Sequence, residues 1–225
     1  MNIESVMILA AGRGERMRPL TDILPKPLLP LNGKPLMQYH LEKLQNTGIK
    51  RVIINHAWLG HKIEAAFGDG RQFGFDIHYS AETEALETAG GIVKALPLLG
   101  DAPFLVVNGD VYADVDFAPL LHSPLQALAK LLLVTNPEHH PEGDFSLVDG
   151  KLREKQPQLN SFTFSGIALY HPDFFAGLRP EKMRLAPLIR KHIATGQVQG
   201  EWHRGKWCDV GTPERLAQLE EELQA

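Results

Sequence analysis

The sequence predicts an α/β fold built on a doubly wound, mostly parallel sheet, with a smaller hairpin-rich part. Short apolar runs alternate with helical apolar spacing through the first half, which is the pattern of βαβ units. Turn signals between shorter runs dominate the second half. The chain has 225 residues, of which 44% are hydrophobic, so it can bury one sizeable core. We therefore predict a single domain over residues 1–225, with a first half of about 1–110 and a second half of about 111–225 that ends in a helix.

Three buried strands are predicted in the first half, over residues 6–10, 51–55 and 103–108, because each is a short apolar run without helical spacing. Residues 75–80 alternate enough to predict a fourth strand. Helices are expected between them. Pro35 suits a first helical position, residues 59–67 form a short helix, and Thr88 can cap a helix that continues to Leu96. Such a sheet binds ligands at the carboxyl ends of its strands.

The second half mixes element types. Strands are predicted over 127–134, 161–170 and 198–203, and a hairpin joins 144–148 to 151–154 across Asp149-Gly150, a dipeptide typical of tight turns. Helices are expected over 185–194 and from Pro213 to Leu223, the latter capped by Thr212. We expect this half to form the lid or side wall of a pocket whose floor is the first half.

Composition argues against several classes of protein. The formal net charge of −4 disfavours binding to nucleic acid or to a membrane surface, since such proteins usually carry a basic field. No apolar run approaches the roughly 20 residues that span a bilayer. Cys208 is the single cysteine, which excludes an internal disulfide and fits a reducing compartment. The ten histidines lack the spacing of a zinc site. We expect a cytoplasmic protein, either a monomer or a small homo-oligomer.

The most informative stretch begins where the first strand ends. Ala11, Gly12 and Gly14 have little or no side chain, so a ligand can approach backbone N–H groups that a turn gathers into an anion site. Basic residues then outnumber acidic ones, the basic set being Arg13, Arg16, Arg18 and Lys26 and the acidic set Glu15 and Asp22. This surplus suits a polyphosphate, because a guanidinium group can bind two phosphate oxygens and a lysine supplies a point charge.

Three simpler or better-known motifs offer alternative explanations of this stretch. A strand-to-loop turn with solvated basic residues would show the same glycines. A dinucleotide-binding turn is disfavoured, because the third glycine is missing and no acidic residue ends a second strand about 20 positions later. A Walker-type loop fails because Gly33-Lys34 is followed by Pro35 instead of Ser or Thr. Prolines on both sides of Lys26 restrict its backbone and favour an extended conformation there.

Two acidic residues follow predicted strands. Asp110 ends the segment Asn108-Gly109-Asp110, and Asp209 precedes the C-terminal helix. Mg²⁺ is typically held by one or two carboxylates together with substrate phosphates, so the pair makes a plausible metal site; each aspartate is also a common turn or cap residue. Thr88 and Gly90 begin a helix whose free N–H groups can bind a base edge or a phosphate, or simply be capped.

A composite motif spreads over two dozen residues. It consists of Leu-Ala-Ala-Gly at Leu9–Gly12, Gly14, Arg16, Pro-Leu-Thr at Pro19–Thr21 and Pro-Lys-Pro-Leu at Pro25–Leu28. In this order the motif closely resembles the signature of the sugar-1-phosphate nucleotidyltransferases. The resemblance implies a Rossmann-like nucleotidyltransferase fold and the Mg²⁺-dependent transfer of a nucleotidyl group from a nucleoside triphosphate to a sugar 1-phosphate. Catalysis would then need alignment and charge neutralisation, because the attacking phosphate is already anionic.

The resemblance also implies roles for individual residues. Catalytic positions match Arg16 at the β- and γ-phosphates, Lys26 at the α-phosphate and the sugar phosphate, and Asp110. The metal ligands match Asp110 and Asp209. Nucleotide-binding positions match Ala11, Gly12, Arg13, Gly14, Glu15, Arg16, Lys26, Thr88 and Gly90. Sugar-binding positions in the second half and at its border match Asn108, Gly143, Glu154, Ser165 and Gly166. Family members often show Glu-Lys-Pro where this chain has Glu154-Lys155-Gln156-Pro157, with Gln156 inserted between Lys155 and the proline.

Within the family, the segments 54–60, 86–92 and 95–105 resemble the uridylyltransferases of cell-wall recycling. That resemblance implies UTP and N-acetylmuramate 1-phosphate as the substrates. Mannose-1-phosphate guanylyltransferases and glucose-1-phosphate thymidylyltransferases are alternatives within the family. A non-catalytic sugar-nucleotide sensor or a NAD-dependent oxidoreductase would belong to a different class. A sensor would be expected to lack Arg16, Lys26 or one of the two acids, and all are present.

Overall fold

The computed structural model describes residues 3–224, and its centre is one mixed sheet of nine strands. The strands of the molecule are β1 (Ser5–Leu9), β2 (Pro30–Leu31), β3 (Lys34–Pro35), β4 (Arg51–His56), β5 (Asp76–Ala81), β6 (Phe104–Asn108), β7 (Val111–Ala113), β8 (Ala129–Val134), β9 (Phe145–Val148), β10 (Lys151–Arg153), β11 (Ser161–Tyr170), β12 (Val198–Trp202) and β13 (Trp207–Asp209). The α-helices are α1 (Leu20–Ile23), α2 (Gln38–Leu44), α3 (Gly60–Phe67), α4 (Glu87–Leu99), α5 (Phe117–His122), α6 (Leu185–Ala194) and α7 (Pro213–Gln224). None of the helices in this described range is long and apolar enough to cross a bilayer.

The two halves of the chain contribute differently to the sheet, whose order is β5-β4-β1-β6-β11-β8-β12-β10-β9. The first four strands pair in parallel, as the alternation of strands and helices predicts. β11 then lies antiparallel between β6 and β8, and β9 and β10 form the predicted hairpin at the far edge. The α/β class is confirmed. The whole sheet is mixed, however, and the strands of the second half extend it instead of covering it.

Apolar side chains fill both faces of the sheet. Successive residues of a strand point to opposite faces, and Val6, Met7 and Ile8 of β1 are all fully buried. Ile8 packs with Leu41 of α2 in one core cluster, whereas Met7 packs with Ile92 of α4 in the other. This burial on both faces explains why the first strand is a continuous apolar run without polar alternation.

Two helix starts differ from the prediction. Pro35 lies in β3 and not at the start of a helix, and α2 begins at Gln38. The cause is the Asn32-Gly33 turn, in which both residues have positive φ, so the chain folds back as a tight two-residue hairpin. Thr88 is not a cap either, because α4 begins one residue before it. The predicted cap of α7 is confirmed, since Arg215 N donates to Thr212 Oγ1 at 3.4 Å.

Candidate active site

The carboxyl ends of three parallel strands form the floor of the site. Leu9 at the end of β1 is in register with Asn55 of β4 and Asn108 of β6. The glycine turn follows β1 directly, and Gly109 N donates to Leu9 O at 2.8 Å. Asp110 therefore begins the chain segment that leaves this edge beside the glycine turn.

The short ribbon of β7 and β13 brings the second acid to the same place. Asp209 pairs with Val111 in this antiparallel ribbon, and Val210 N donates to Asp110 O at 3.1 Å. Under the ribbon, the buried His40 donates from Nε2 to Val111 O at 2.8 Å, and burial lowers the pKa of His40 to about 4. A neutral imidazole thus supports the backbone next to Asp110.

Lys26 reaches into the site and pairs with the first acid. Its Nζ lies 2.5 Å from Oδ2 of Asp110, and the residue is only 8% exposed. The backbone at Lys26 is not extended as predicted; residues Lys26–Leu28 form one turn of 3₁₀ helix, closed by a bond of 3.0 Å from Leu29 N to Lys26 O. After this turn the chain enters the β2-β3 hairpin, and the lysine side chain stays next to Asp110.

Asp209 is paired on one oxygen and left unpaired on the other. Its Oδ2 accepts from Arg215 Nη1 at 2.5 Å. Its Oδ1 is buried without a hydrogen-bond partner, although His139 Nε2 lies 2.9 Å away. The distance does not mark a hydrogen bond, because Nε2 also faces Arg215 Nη1 at 2.7 Å. Since an arginine N–H can only donate, that nitrogen acts as the acceptor. Asp209 Oδ1 is thus a buried acceptor that no donor within residues 3–224 uses.

Three adjoining cavities form a continuous groove around Asp110, which borders all of them. The first cavity, of about 350 Å³, is lined by residues 9–13, Lys26, Pro27, Asn55, Ala85, Glu87, Thr88, Asn108 and Asp110. The second, of about 220 Å³, lies at Gly12, Gly14, Glu15, Arg16, Met17, Lys26, Asp110 and Gly211. The third, of about 410 Å³, is lined by Arg16, Asn108, Asp110, Val111, Pro137, His139, His140, residues 163–166, Trp207 and Asp209.

The two arginines of the glycine turn differ in availability. Arg13 borders the first cavity, but its guanidinium donates to Thr21 O at 2.7 Å and to Asp22 at 2.8 Å. It also lies 4.0 Å from the ring centre of Trp58. Arg16 borders the second and third cavities and makes no ion pair with any residue in the described range. Arg16 is therefore the cation that can meet an anionic ligand without giving up a partner.

The predicted residues of the α4 start separate in the structure. Thr88 borders the first cavity. Gly90 instead packs against the backbone of a later segment, since a Cβ there would lie 2.0 Å from Glu181 O. Gly90 is therefore a packing residue and does not line the groove.

The predicted sugar-binding residues also divide into two groups. Asn108 and Gly166 line the third cavity together, and a Cβ on Gly166 would lie 2.6 Å from Asn108 Nδ2. Ser165 borders the same cavity, but its buried Oγ already donates to Leu132 O at 2.7 Å. Gly143 and Glu154 are not among the residues that line the three cavities. Gly143 packs on Asn136, and Glu154 forms an ion pair with Arg190.

Sequence reasoning missed a buried polar network on the first cavity. Asn55 Oδ1 accepts from Ala10 N at 2.9 Å, and its Nδ2 donates to Glu82 Oε1 at 2.6 Å. Glu82 Oε2 accepts from Leu86 N at 2.8 Å. The network thus connects the backbone just before the glycine turn, at Ala10, to the loop before α4, at Leu86. An amide at the end of an apolar strand was the available signal, because a polar residue is rarely buried there without partners.

The arrangement can bind a polyphosphate and a divalent cation at one place. It combines the backbone of the glycine turn, a buried lysine, an arginine without an ion pair in the described range and two carboxylates. No three His, Cys, Asp or Glu side chains within residues 3–224 come together as a self-sufficient metal site. Cys208 lies next to Asp209, but burial raises the pKa of its thiol to about 11. The chain therefore offers charge neutralisation here and no thiolate nucleophile.

Comparisons with known proteins agree with this geometry. The sequence profile of the nucleotidyl transferase family matches residues 5–225. Over 221 residues the chain is 51% identical to N-acetylmuramate alpha-1-phosphate uridylyltransferase of Neisseria meningitidis serogroup B, with 95% of this chain and 96% of that protein covered. It is 31% identical over 231 residues to the Caulobacter vibrioides protein of the same name, with 96% of both covered.

A solved structure supports the fold. HddC from Yersinia pseudotuberculosis, in complex with GMP-PN, superposes with a TM-score of 0.81 at 22% identity, covering 98% of this chain and all of that chain. The profile match over nearly the whole length and the two close relatives confirm the resemblance that the composite motif predicts. The chain therefore belongs to the nucleotidyl transferase family.

Proposed function

We propose that the chain transfers the uridylyl group of UTP to N-acetylmuramate α-1-phosphate and releases pyrophosphate. The observation that carries the proposal is the meeting of the glycine turn, the Lys26–Asp110 ion pair and Asp209 on one groove. The relative in N. meningitidis, 51% identical over almost the full length of both chains, supports this choice of substrates. With these substrates, we infer that the product serves peptidoglycan recycling and that the enzyme works in the cytoplasm.

The first cavity suits the nucleotide. Its volume of about 350 Å³ lies in the range of small-molecule sites. The backbone of the glycine turn can approach a phosphate closely because Ala11 and Gly12 have almost no side chain. Lys26 and Gly12 also border the second cavity, where Arg16 lies. A triphosphate can therefore extend from the first cavity into the second along this basic side.

The third cavity suits the sugar 1-phosphate. It adjoins the first at Asn108 and Asp110 and the second at Arg16. A sugar phosphate there would face the α-phosphate across Asp110. Its phosphate oxygen attacks the α-phosphorus, and a new P–O bond forms as the bond to the bridging oxygen of the β-phosphate breaks. The electron pair of that bond leaves with pyrophosphate, so no side chain needs to form a covalent intermediate.

The side chains supply alignment and opposite charge. Lys26 is held on the groove by burial and by Asp110, so its ammonium group is oriented before the substrates arrive. Arg16, which lacks an ion-pair partner within residues 3–224, can neutralise the leaving pyrophosphate. Fixed charges of this kind stabilise the charge that develops in the transition state and need no reorganisation at the moment of reaction.

Asp110 and Asp209 fit a Mg²⁺ ion as ligands. Both residues line the same cavity, and the buried Oδ1 of Asp209 has no hydrogen-bond partner among residues 3–224. Mg²⁺ commonly takes one or two carboxylates and completes its shell with substrate phosphates and water. When bound, it would supply positive charge to the phosphates of both substrates.

Pyrophosphate release tests the proposal. The purified protein is incubated with Mg²⁺ and each of four pairings of nucleotide and sugar phosphate. These are UTP with N-acetylmuramate 1-phosphate, UTP with glucose 1-phosphate, GTP with mannose 1-phosphate, and dTTP with glucose 1-phosphate. We expect the first pairing to be fastest. Faster turnover of GTP with mannose 1-phosphate or of dTTP with glucose 1-phosphate would reassign the substrates, and no release with any pairing would indicate a sensor.

Variants at Lys26 test the role of the ion pair. Lys26→Met retains most of the buried stem but removes the charge, so we expect kcat to fall by about 10²–10³-fold with the fold retained. We expect the kcat of Asp110→Ala to fall by a similar factor. Lys50→Met is the matched control, because Lys50 forms an exposed ion pair with Glu4 and does not line the groove. Unchanged kcat in Lys26→Met would remove this residue from the mechanism.

A further inference from the structure

We propose that the Glu87 carboxylate accepts a hydrogen bond from a donor of the bound nucleoside, a ribose O–H or a base N–H, and so fixes how the nucleotide enters the groove. The inference rests on the proposed function, since it takes the first cavity as the nucleotide site. It concerns a side chain that the composite motif does not include.

The backbone of Glu87 is held in a conformation that favours glycine. Its φ is +60°, at the first residue of α4. Four other non-glycine residues in the described range share a positive φ, and three of them are Asn or Asp, which tolerate this region. Glutamate has no such advantage. Holding a non-glycine residue in this region costs free energy, and such residues cluster at functional sites.

Contacts on both sides of Glu87 enforce this backbone. Before it, Leu86 N donates to the buried Glu82, and Met183 N donates to Leu86 O at 3.0 Å. After it, Ala89 N donates to Met183 O at 3.0 Å. The helix start is therefore fixed whichever side chain stands at position 87, and glycine would occupy it without strain. The glutamate side chain needs a separate explanation.

Glu87 is exposed and is one of the residues that border the nucleotide cavity. Glu87 borders the first cavity with Ala85 and Thr88, and within residues 3–224 its carboxylate makes no hydrogen bond or ion pair. Gly12 and Lys26 border both the first and the second cavity, whereas Glu87 borders the first alone. Lys26 thus lies on the side shared with the second cavity, and Glu87 lies on the other part of the first. Arg13 also borders that part, but its guanidinium already donates to Thr21 O and Asp22.

This division of charge matches the two ends of a nucleotide. A carboxylate can only accept hydrogen bonds, and it repels the triphosphate. The nucleoside end carries O–H donors on its ribose and N–H donors on its base. A nucleotide with its phosphates at Lys26 and its nucleoside near Glu87 gains at both ends, whereas the reversed orientation places the triphosphate against the carboxylate and leaves Lys26 without a phosphate partner. Glu87 therefore acts on orientation and affinity for the nucleoside.

The test compares stability with nucleotide affinity. Glu87→Gly should keep or raise the melting temperature, because the strain is removed, while the Kd for UTP rises by about 10-fold through loss of a charge-assisted hydrogen bond. Glu87→Gln keeps an acceptor oxygen without charge, so its Kd for UTP should lie between those of wild type and Glu87→Gly. Asn46→Gly is the matched control: Asn46 has a φ of +61° and lies off the groove, so its variant should keep wild-type UTP affinity.

Two UTP analogues distinguish the donors. If ribose O–H groups bind Glu87, wild type and Glu87→Gly will bind 2′,3′-dideoxy-UTP equally; if the base N–H does, they will bind N3-methyl-UTP equally. Equal UTP affinity of wild type and Glu87→Gly overturns the inference. It is also overturned if the Glu87→Gly substitution weakens binding of UTP and of both analogues by the same factor. If wild type itself neither binds UTP nor releases pyrophosphate, the proposed function fails instead.

Discussion

Replacing Glu82 by glutamine should destabilise the protein although the two side chains have the same shape. Both carboxylate oxygens are already used, Oε1 by Asn55 Nδ2 at 2.6 Å and Oε2 by Leu86 N at 2.8 Å. Asn55 cannot turn its amide over to compensate, because its Oδ1 accepts from Ala10 N at 2.9 Å. In either orientation the new amide would point an N–H donor at another donor.

The expected cost follows from these contacts. A hydrogen bond to a charged group is worth about 1.5–3 kcal/mol, and a buried donor without an acceptor costs about 1–3 kcal/mol. Glu82 is 6% exposed, so water can reach the orphaned donor only by opening the loop. We expect the free energy of unfolding to fall by about 3 kcal/mol. The KM for UTP should rise as well, because Leu86 leads into the cavity wall at Thr88.

Urea unfolding with linear extrapolation measures the first effect, and initial rates at varied UTP measure the second. Glu84→Gln is the control, because Glu84 is exposed on the same loop; we expect it to stay within about 0.5 kcal/mol of wild type. Asn55→Ala combined with Glu82→Gln should be less than additive, since both remove one shared bond. A Glu82→Gln protein as stable as wild type would refute the assignment of the network.

Two further predictions concern groups whose pKa is shifted by burial. His40 has a pKa lowered from 6.5 to about 4, so between these values the unfolded chain binds the extra proton and the folded state is destabilised as pH falls. The loss of unfolding free energy reaches about 3 kcal/mol near pH 4. Urea unfolding from pH 7 to pH 4 should show this loss in wild type, in addition to any pH dependence that His40→Gln shares. Cys208, with a pKa raised to about 11, should react with Ellman's reagent at pH 8 about 10²-fold more slowly than in 8 M urea, as followed by absorbance; reaction at equal rates would show that the thiol is not shielded.

The parallel half of the fold could be predicted because its information is local. Apolar runs at 6–10, 51–55 and 103–108 define strands by themselves, and the topology rule then places their carboxyl ends at one edge. Asp110 follows directly from this argument. The hairpin at Asp149-Gly150 was predictable for the same reason, since its turn chemistry is contained in two residues. The Asn32-Gly33 turn carries an equally local signal, and it is the better explanation of Pro35.

The remaining features depend on contacts between distant segments. The motif predicts a nucleotide contact at Gly90, but the backbone at Glu181 explains why this position lacks a side chain. The positive φ of Glu87 depends on Met183, almost a hundred positions later. The motif interrupted by Gln156 predicts a sugar contact at Glu154, and the structure pairs Glu154 with Arg190. No periodicity or propensity in the local sequence contains these contacts.

The charges of the groove also depend on distant contacts, and they suggest how ligands enter it. Each candidate metal ligand is already paired, Asp110 with Lys26 and Asp209 with Arg215, at 2.5 Å in both cases. The Lys26 ammonium group has three N–H donors, so it can meet a phosphate without leaving Asp110, but the phosphate then lies close to that carboxylate. A divalent cation at the aspartates would offset the repulsion between these anions. Binding of the nucleotide and of a divalent cation should consequently be coupled, each strengthening the other, because the cation reduces the repulsion that the phosphates meet and the phosphates supply further oxygen ligands for the cation.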